Sequence, residues 1–216
     1  MPIHRVARVA GEELVLRADK TAFWPARQIL FAADVHLGKA ASFRAFGVPV
    51  PDGTDATLRT LSNALEETGA RRLVFLGDLW HARQGRTDEI IGKFLGWRGR
   101  HAAVEMTLVE GNHDLRSGRL PEEANVAEVP EPFSIAPFSL RHYPEEAEGY
   151  VLSGHLHPAA VLEGRGLQAV RLPCFWFGPR VGVLPALGDF TGCATIRAMA
   201  GDQVFVVAED RVLPVA

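Results

Sequence analysis

The chain has 216 residues and a formal net charge of −3, with 47% hydrophobic and 23% charged residues. This composition is ordinary for a globular protein with a substantial core and argues against disorder. No apolar run approaches the ~20 residues that a membrane helix needs, and the charged N-terminal stretch argues against a secretory signal. Two cysteines, Cys174 and Cys193, are too few for a disulfide framework or a thiolate metal site. We therefore expect a cytoplasmic protein with reduced thiols.

Four short apolar runs of the chain each end in polar residues. They occupy residues 27–36, 71–80, 105–114 and 149–158. Continuous apolar runs of this length, bounded by turn residues, are typical of strands that are buried on both faces. We therefore predict a buried strand in each of these runs.

Two helix patterns lie between the predicted strands. In residues 54–69, leucines recur at the spacing of one helix face, at Leu58, Leu61 and Leu65. Thr54 or Asp55 is suited to the N-cap of this helix, and Gly69 is suited to its C-terminal end. Residues 87–99 repeat the apolar spacing. Alternating strands and helices predict an α/β domain with a largely parallel sheet at its centre.

The character of the chain changes after residue 158. Strand-like segments follow without helix patterns, at residues 166–173, 192–200 and 202–216. They predict a second sheet that packs on the first. Because no linker, low-complexity tract or repeat divides the chain, we expect one domain over residues 1–216. The acidic segment 121–148 could be a lid, a partner surface or a plain loop.

The polar residues at the ends of the four runs are candidates for a functional site. In open α/β sheets, ligands bind at the carboxyl ends of the strands. Gly77, Gly111 and Gly154 directly precede polar residues and allow the backbone to turn sharply beside a ligand. The polar residues with metal-binding or acid–base chemistry are Asp34, His36, Asp78, Asn112, His113, Asp114, His155 and His157.

These residue types match a site for two divalent metal ions. Such a pair clamps the attacking and the leaving oxygen of a phosphoryl displacement. Asp34 and His36 are close enough in the chain to reach the same ion, and Asp78 is suited to bridging both ions. His155 and His157 could straddle the two ions. Nitrogen and oxygen ligands without cysteine favour manganese, iron or zinc over calcium, and we expect manganese first.

The segments "DVH", "GD", "GNHD" and "GHLH", in this order across residues 34–157, resemble the motifs of the calcineurin-like metallophosphoesterases. The resemblance implies an α/β fold in which two mixed β-sheets form a sandwich flanked by helices. It also implies two metal-ligand sets that share one carboxylate. The first set consists of Asp34, His36, Asp78 and His157. The second set consists of Asp78, Asn112, His142 and His155.

The same resemblance implies catalytic roles. His113 would stabilise the transition state or protonate the leaving oxygen, and a metal-bridging hydroxide would be the nucleophile. Asp114 would either orient the His113 imidazole or cap the following turn. Many family members have an aspartate three residues after the bridging carboxylate, whereas this chain has His81 there. We hypothesise that His81, in its protonated form, contacts the phosphate of the substrate.

Longer stretches, including "ADVHLGKAASFRAFGVPVP", "GDLWHAR" and "LPCFWFGPRVGVLPALGDFTG", are similar to the bacterial DNA-ligase-associated metallophosphoesterases. This narrower resemblance covers roughly residues 22–192. It implies phosphodiesterase or endonuclease activity on DNA in repair, and a functional association with an ATP-dependent DNA ligase and a helicase.

The substrate implied by this resemblance is DNA or a nucleotide phosphodiester. A rim of basic side chains could bind its phosphates without reading bases. The candidates for this rim are Lys39, Arg44, His81 and Arg116, followed by Arg83, Arg86 and Arg180. Phe175 or Trp176 could stack on bases, although core packing is the better expectation for them. A phosphomonoesterase or protein phosphatase is the alternative function, and a non-catalytic binding module is the third.

Overall fold

The computed structural model describes residues 2–164, 168–189 and 191–215, and its strands within these ranges form two sheets. In the first sheet the spatial order follows the chain order. Its first four strands pair antiparallel, and the fourth to the seventh pair parallel. The strands are β1 (Arg5–Val9), β2 (Glu12–Leu16), β3 (Ala22–Trp24), β4 (Ile29–Ala32), β5 (Arg72–Leu76), β6 (Glu105–Val109) and β7 (Ala127–Val129).

The second sheet is also mixed. The strand order is β14-β11-β12-β13-β10-β9-β8, with β15 and β16 joined through β12. Strand β10 pairs parallel with both of its neighbours, β9 and β13. The strands are β8 (Phe133–Ile135), β9 (Phe138–Leu140), β10 (Tyr150–Ser153), β11 (Pro158–Glu163), β12 (Ala169–Phe177), β13 (Val181–Val183), β14 (Ala194–Thr195), β15 (Gln203–Ala208) and β16 (Arg211–Pro214).

Four α-helices connect the strands of the first sheet within the described ranges. They are α1 (Lys39–Ala45), α2 (Thr54–Thr68), α3 (Asp88–Arg100) and α4 (Asn112–Ser117). The two longer helices were predicted, and Gly69 ends α2 in the left-handed conformation as expected. The N-cap prediction for α2 was wrong. Gly53 holds the cap position, and the Asp52 carboxylate accepts a hydrogen bond from the Thr54 backbone amide instead.

The apolar runs are continuous because their strands are buried on both faces. In β4, Phe31 contributes to the core between the two sheets, whereas its neighbour Leu30 packs against the helices. In β5, Val74 likewise contributes to the core between the sheets, whereas Phe75 packs against the helices. The shared core between the sheets supports a single domain over residues 1–216, and we propose this organisation. Within the described residues, no helix is long and apolar enough to cross a membrane.

Several elements differ from the sequence expectation. The fourth apolar run forms β10, which belongs to the second sheet and not to the first. Strands β1 to β3 were not predicted, and the acidic segment contains β7 to β9. The predicted strand at 192–200 is reduced to Ala194–Thr195. Part of the predicted strand at 166–173 lies outside the described residues. An apolar run indicates burial, but it does not indicate which sheet the strand joins.

We predict that Leu61→Ala lowers the free energy of unfolding by about 2–5 kcal/mol. The Leu61 side chain is fully buried between α2 and the first sheet, so its truncation leaves a cavity. Urea unfolding would measure the change. Arg59→Ala is the matched control, because Arg59 is an exposed residue of the same helix. Equal effects of the two substitutions would contradict the assigned packing of α2.

Candidate metal centre

The polar residues after β4, β5, β6 and β10 meet at one place, where the carboxyl ends of strands from both sheets come together. His157, which follows β10, places its Nε2 atom 3.3 Å from Oδ1 of Asp34, which follows β4. His142, which follows β9, places its Nε2 atom 3.5 Å from Oδ2 of Asp78, which follows β5. The two sheets therefore supply opposite sides of a single cluster.

The backbone of this cluster is strained. Asp34, His36, Asp78, His155 and His157 all have positive φ angles, between 48° and 70°. Non-glycine residues rarely adopt this left-handed conformation, and such outliers concentrate at functional sites. The surrounding fold therefore holds five candidate ligands in conformations that they would not adopt without support.

The three glycines before the polar residues leave room for neighbouring side chains. A Cβ atom on Gly77 would overlap the ring of His142, and one on Gly111 would overlap the carboxylate of Asp78. A Cβ atom on Gly154 would likewise overlap the carboxylate of Asp34. Glycine is thus required at these positions for close approach, as the sequence predicted, and in the case of Gly77 also for its φ of 80°.

The first group of candidate ligands consists of Asp34, His36 and His157, whose ligand atoms lie within 4.8 Å of one another. The Nε2 atoms of His36 and His157 are 3.4 Å apart, and Nε2 of His36 is 3.9 Å from Oδ2 of Asp78. Oδ1 of Asp34 is buried and has no hydrogen-bond partner among the residues that the structure describes. A buried carboxylate oxygen without a donor fits a cation at this position.

The second group is formed by Asp78, Asn112, His142 and His155. Nε2 of His142 lies 3.0 Å from Oδ1 of Asn112 and 3.0 Å from Nδ1 of His155. The Nδ1 atom of His142 faces the Leu76 carbonyl oxygen at 3.2 Å, which leaves the lone pair of Nε2 directed at the cluster. Because Asp78 is near both groups, it has the position of a shared ligand.

The spacing of these atoms fits metal ions. Two ligands at about 2.1 Å from one ion, separated by an angle between the octahedral and tetrahedral values, lie about 3.0–3.4 Å apart. The His36–His157 nitrogen pair and the His142–His155 nitrogen pair lie at 3.4 and 3.0 Å. His157 also directs Nδ1 to the Gly192 carbonyl oxygen at 2.9 Å, which frees Nε2 for a metal ion. The donor set therefore fits divalent cations.

The pKa values of the cluster also indicate that a cation would stabilise it. Burial, and then the charges of Asp114 and Asp34, raise the pKa of Asp78 to about 8. Burial lowers the pKa of His36 to about 2 and also lowers the pKa of His142. Carboxylates that resist ionisation beside neutral imidazoles are stabilised when a divalent ion supplies positive charge.

The chain matches a family model, the calcineurin-like phosphoesterases, over residues 27–167, which is more than half of its length. The chain belongs to the calcineurin-like phosphoesterase family. Accordingly it is a metal-dependent phosphoric ester hydrolase, and its two mixed sheets flanked by helices are the predicted metallophosphoesterase fold.

Twenty-four chains of solved structures match this phosphoesterase. One of them is the crystal structure of Pseudomonas putida nuclease MPE, which is 38% identical in sequence. The alignment covers 98% of this chain and 100% of the Pseudomonas putida chain, with a TM-score of 0.86. No curated protein sequence matches the chain.

The candidate catalytic residue His113 lies next to the carboxylate of Asp78. Its Nε2 atom is 3.9 Å from Oδ2 of Asp78, and its Nδ1 atom is hydrogen-bonded to the backbone carbonyl oxygen of His81. The missing aspartate of the wider family is therefore replaced by a backbone carbonyl, and not by the His81 side chain.

Asp114 caps backbone amides that precede it in the chain, and not the following turn that the alternative prediction named. Its carboxylate accepts hydrogen bonds from the backbone amides of Asp78 at 2.7 Å, Trp80 at 3.0 Å and Gly111 at 3.0 Å. Among the described hydrogen bonds, none joins Asp114 to the His113 ring, so the suggested orienting role is corrected. Asp114 holds the turn that carries Asp78, and burial raises the pKa of Asp114 to about 6.

The hypothesis of a protonated His81 is also corrected. Burial, and then the charges of Lys39 and His113, lower the pKa of His81 to about 4, so its ring is neutral at pH 7. The ring stacks on that of His113, with centroids 5.1 Å apart. His81 remains beside the centre, where a neutral imidazole can still donate one hydrogen bond.

The predicted basic rim is only partly assembled. Lys39 begins α1, and its charge acts on His36 and His81. Arg116 is an exposed residue of α4 whose charge acts on Asp78. In contrast, Arg44 is exposed and donates to the Val50 carbonyl oxygen at 3.0 Å, in the loop that follows α1.

The remaining predicted contacts are mostly structural. Arg86 donates to the Ser117 carbonyl oxygen at 2.8 Å and lies over the Trp80 ring, and Arg180 pairs with Glu146 at 2.9 Å. Phe175 is fully buried in the core, so it offers no ring to a base. The half-buried Trp176 donates to Asp202, and Arg83 is exposed.

Sequence reasoning missed Glu131. Its carboxylate accepts hydrogen bonds from the backbone amides of His142 at 2.7 Å and Tyr143 at 3.1 Å, and it lies 3.5 Å from the Arg141 guanidinium. Glu131 therefore positions the loop that carries His142. No local signal distinguishes it from the other glutamates of the acidic segment.

We predict that Gly111→Ala weakens the binding of divalent metal at least ten-fold and lowers the free energy of unfolding by about 1–3 kcal/mol. The added methyl group would collide with the Asp78 carboxylate, although the φ of Gly111, −96°, is open to alanine. Titration calorimetry with Mn(II) and thermal unfolding would measure both effects.

The matched control for this substitution is Gly92→Ala. Gly92 is exposed on α3, and a Cβ atom there meets nothing within 4 Å. This control should gain up to about 1 kcal/mol from helix propensity and bind metal normally. Equal metal affinities of the two variants would show that the Asp78 carboxylate does not depend on the space at Gly111.

We predict that the metal-free protein loses stability as the pH rises from 6.5 to 8. The folded chain keeps a proton on Asp78, whose pKa is raised to about 8, whereas the unfolded chain has already released it. The free energy of unfolding should therefore fall by up to about 1.4 kcal/mol per pH unit. The histidines with lowered pKa values act below this window.

Urea unfolding at several pH values would measure this slope. Asp78→Asn should reduce it, because the titrating carboxyl group is removed. Saturating Mn(II) should abolish or reverse it, because metal ions compete with protons for the ligands. A slope that is identical in the variant and the wild type would assign the titration to another group.

Proposed function

We propose that this chain is a phosphodiesterase that cleaves DNA or a nucleotide phosphodiester with two divalent metal ions. The observation that carries the proposal is the position of the Asp78 carboxylate, whose Oδ2 atom lies 3.9 Å from Nε2 of His36 and 3.5 Å from Nε2 of His142. The His113 imidazole lies beside the same carboxylate. Two adjacent cation positions next to an imidazole that can donate a proton are the arrangement suited to in-line phosphoryl displacement. The 38% identity to a protein named as a nuclease favours a diester of nucleic acid over a monoester.

The residues divide into two proposed metal sites. Asp34, His36, Asp78 and His157 would hold one ion, and Asp78, Asn112, His142 and His155 would hold the other. When bound, the ions activate a water molecule and neutralise charge on the phosphate. We propose manganese as the native metal, with iron or zinc as alternatives, because the donors are imidazole, carboxylate and amide groups without thiolate.

The chain's own residues would handle the proton. The hydrogen bond between Nδ1 of His113 and the His81 carbonyl oxygen would leave Nε2 of His113 available to the reacting group. In the protonated imidazole, Nε2–H would donate its proton to the leaving oxygen as the phosphorus–oxygen bond breaks. The neutral ring of His81 would contact a phosphate oxygen with its own N–H group. Lys39 and Arg116 would add positive charge at the rim.

The proposed biological setting is DNA repair in the cytoplasm, in functional association with an ATP-dependent DNA ligase and a helicase. It rests on the resemblance of the motif-flanking stretches to DNA-ligase-associated metallophosphoesterases, and the nuclease named above is compatible with it. The cytoplasmic location is supported by two free cysteines, of which Cys174 is buried.

We predict that metal-stripped protein regains hydrolysis of bis-p-nitrophenyl phosphate when Mn(II) is added, and that His113→Ala lowers kcat about 10²–10⁴-fold. Loss of a positioned general acid has an effect of this size. Parallel titrations with Zn(II) and Mg(II) would rank the metals. His4→Ala is the control, because His4 is a histidine of the N-terminal segment outside the cluster.

Two other outcomes would contradict the proposal in different ways. Hydrolysis of p-nitrophenyl phosphate but not of the diester would assign a phosphomonoesterase. Two bound ions without hydrolysis of either ester would indicate a binding module.

A further inference from the structure

The hairpin between β2 and β3 holds a lysine in an unusual backbone conformation. Lys20 has a φ of 70°, and its backbone amide donates to the Arg17 carbonyl oxygen at 3.0 Å. Asp19 accepts from the Thr21 amide at 3.0 Å, and the Arg17 guanidinium joins Asp19 and Glu67, both at 2.7 Å. The loop is thus tied to α2, and the surroundings impose a conformation that lysine rarely adopts.

The Lys20 side chain lines a cleft of about 190 Å³ next to the metal centre. The cleft is also lined by His157, a candidate metal ligand, and by Pro158, Pro173 and Cys193. The backbone amides of Leu187 and Gly188 donate to the carbonyl oxygens of Ala33 and Asp34, which ties the far wall of the cleft to the end of β4. A ligand in this cleft would therefore lie directly beside the cluster.

The cleft presents a lysine without a matched anion. Within the described ranges, no carboxylate oxygen lies within 4.0 Å of Lys20 Nζ, whose hydrogen bond goes to the Leu187 carbonyl oxygen at 3.5 Å. Burial lowers the pKa of Lys20. Asp189, an exposed residue that also lines the cleft, acts in the opposite direction without forming a salt bridge to Lys20. A partly desolvated amine with one weak partner favours an anionic ligand.

We propose that this cleft binds a phosphate group of the DNA substrate, next to the scissile phosphate in the same strand. We propose that Lys20 contacts this flanking phosphate. The inference rests on the proposed function, since a flanking phosphate exists only in a polynucleotide substrate. The volume suits a phosphate with part of its sugar, and the position beside His157 suits a neighbour of the reacting group. Lys20 would then fix the strand in register without reading bases.

Cys193 provides a probe of the cleft. It is the accessible one of the chain's two cysteines, because Cys174 is fully buried. In manganese-loaded His113→Ala protein, in which cleavage is slowed, a saturating single-stranded oligonucleotide should slow alkylation of Cys193 by N-ethylmaleimide at least five-fold. Fluorescence anisotropy of the same oligonucleotide would measure its binding independently.

The outcomes of this experiment separate the two proposals. Oligonucleotide binding without protection of Cys193 would overturn the cleft assignment and leave the proposed function standing. Absence of oligonucleotide binding and of DNA cleavage by the wild type would overturn both. Equal protection by inorganic phosphate, at the same phosphate concentration, would identify a simple anion site and overturn the assignment to a DNA strand.

A second experiment removes the amine. Lys20→Asn suits the left-handed backbone, so the unfolding temperature should stay at or above that of the wild type. The ratio of kcat/KM for DNA to kcat/KM for bis-p-nitrophenyl phosphate should fall about ten-fold, mainly through KM for DNA. The slope of log affinity against log salt should decrease by about 0.7, as expected for one lost phosphate contact of a single strand.

Arg8→Asn is the charge-matched control, because Arg8 lies on the edge strand β1 in an exposed pair with Glu13. It should leave the ratio unchanged, and Lys20→Arg should restore most of it. A ratio for Lys20→Asn within two-fold of the wild type, or an equal loss on both substrates, would overturn the proposal.

Discussion

The structure depends on the burial of one carboxylate. Asp78 lies almost out of contact with water, near the charges of Asp34 and Asp114, and this raises its pKa to about 8. A group in this state is costly in a metal-free protein and favourable beside divalent cations. The left-handed backbone of five candidate ligands adds to the same cost. The site is therefore organised for cations before any cation arrives.

The two-sheet architecture is what sustains this arrangement. The parallel strands β4, β5 and β6 supply one side of the centre, and β9 and β10 of the second sheet supply the other. Carboxylates that are not candidate metal ligands hold the backbone of the cluster in place. Asp114 binds the amides of the turn at Asp78, and Glu131 binds the amides at His142 and Tyr143. The bonds from Asp114 thus restrain Asp78, which has a left-handed backbone, and the bonds from Glu131 restrain the loop that carries His142.

The environment of His113 differs from that in many family members, because this chain has His81 in place of the usual aspartate. A backbone carbonyl cannot be protonated and carries no full charge, so it orients the imidazole without stabilising its cationic form as a carboxylate does. In the proposed phosphodiesterase, much of the stabilisation of a protonated His113 would then come from the phosphate that it contacts. The neutral His81 ring, stacked on His113, is compatible with this picture because it adds no competing positive charge.

The sequence by itself determined the three buried strands of the first sheet that carry ligands, the two long helices, and the membership of a metallophosphoesterase family. These features are encoded by local patterns, namely continuous apolar runs, helical spacing and short polar motifs. Only the tertiary structure decided that β10 joins the second sheet, that Asp114 caps a turn, and that Lys20 shares a cleft with His157. These features depend on contacts between distant segments, such as the bond from the His155 amide to Asp34, 121 positions apart. A local pattern cannot specify which segments will meet. A continuous apolar run shows that a strand will be buried, but it does not show which strands will be its neighbours.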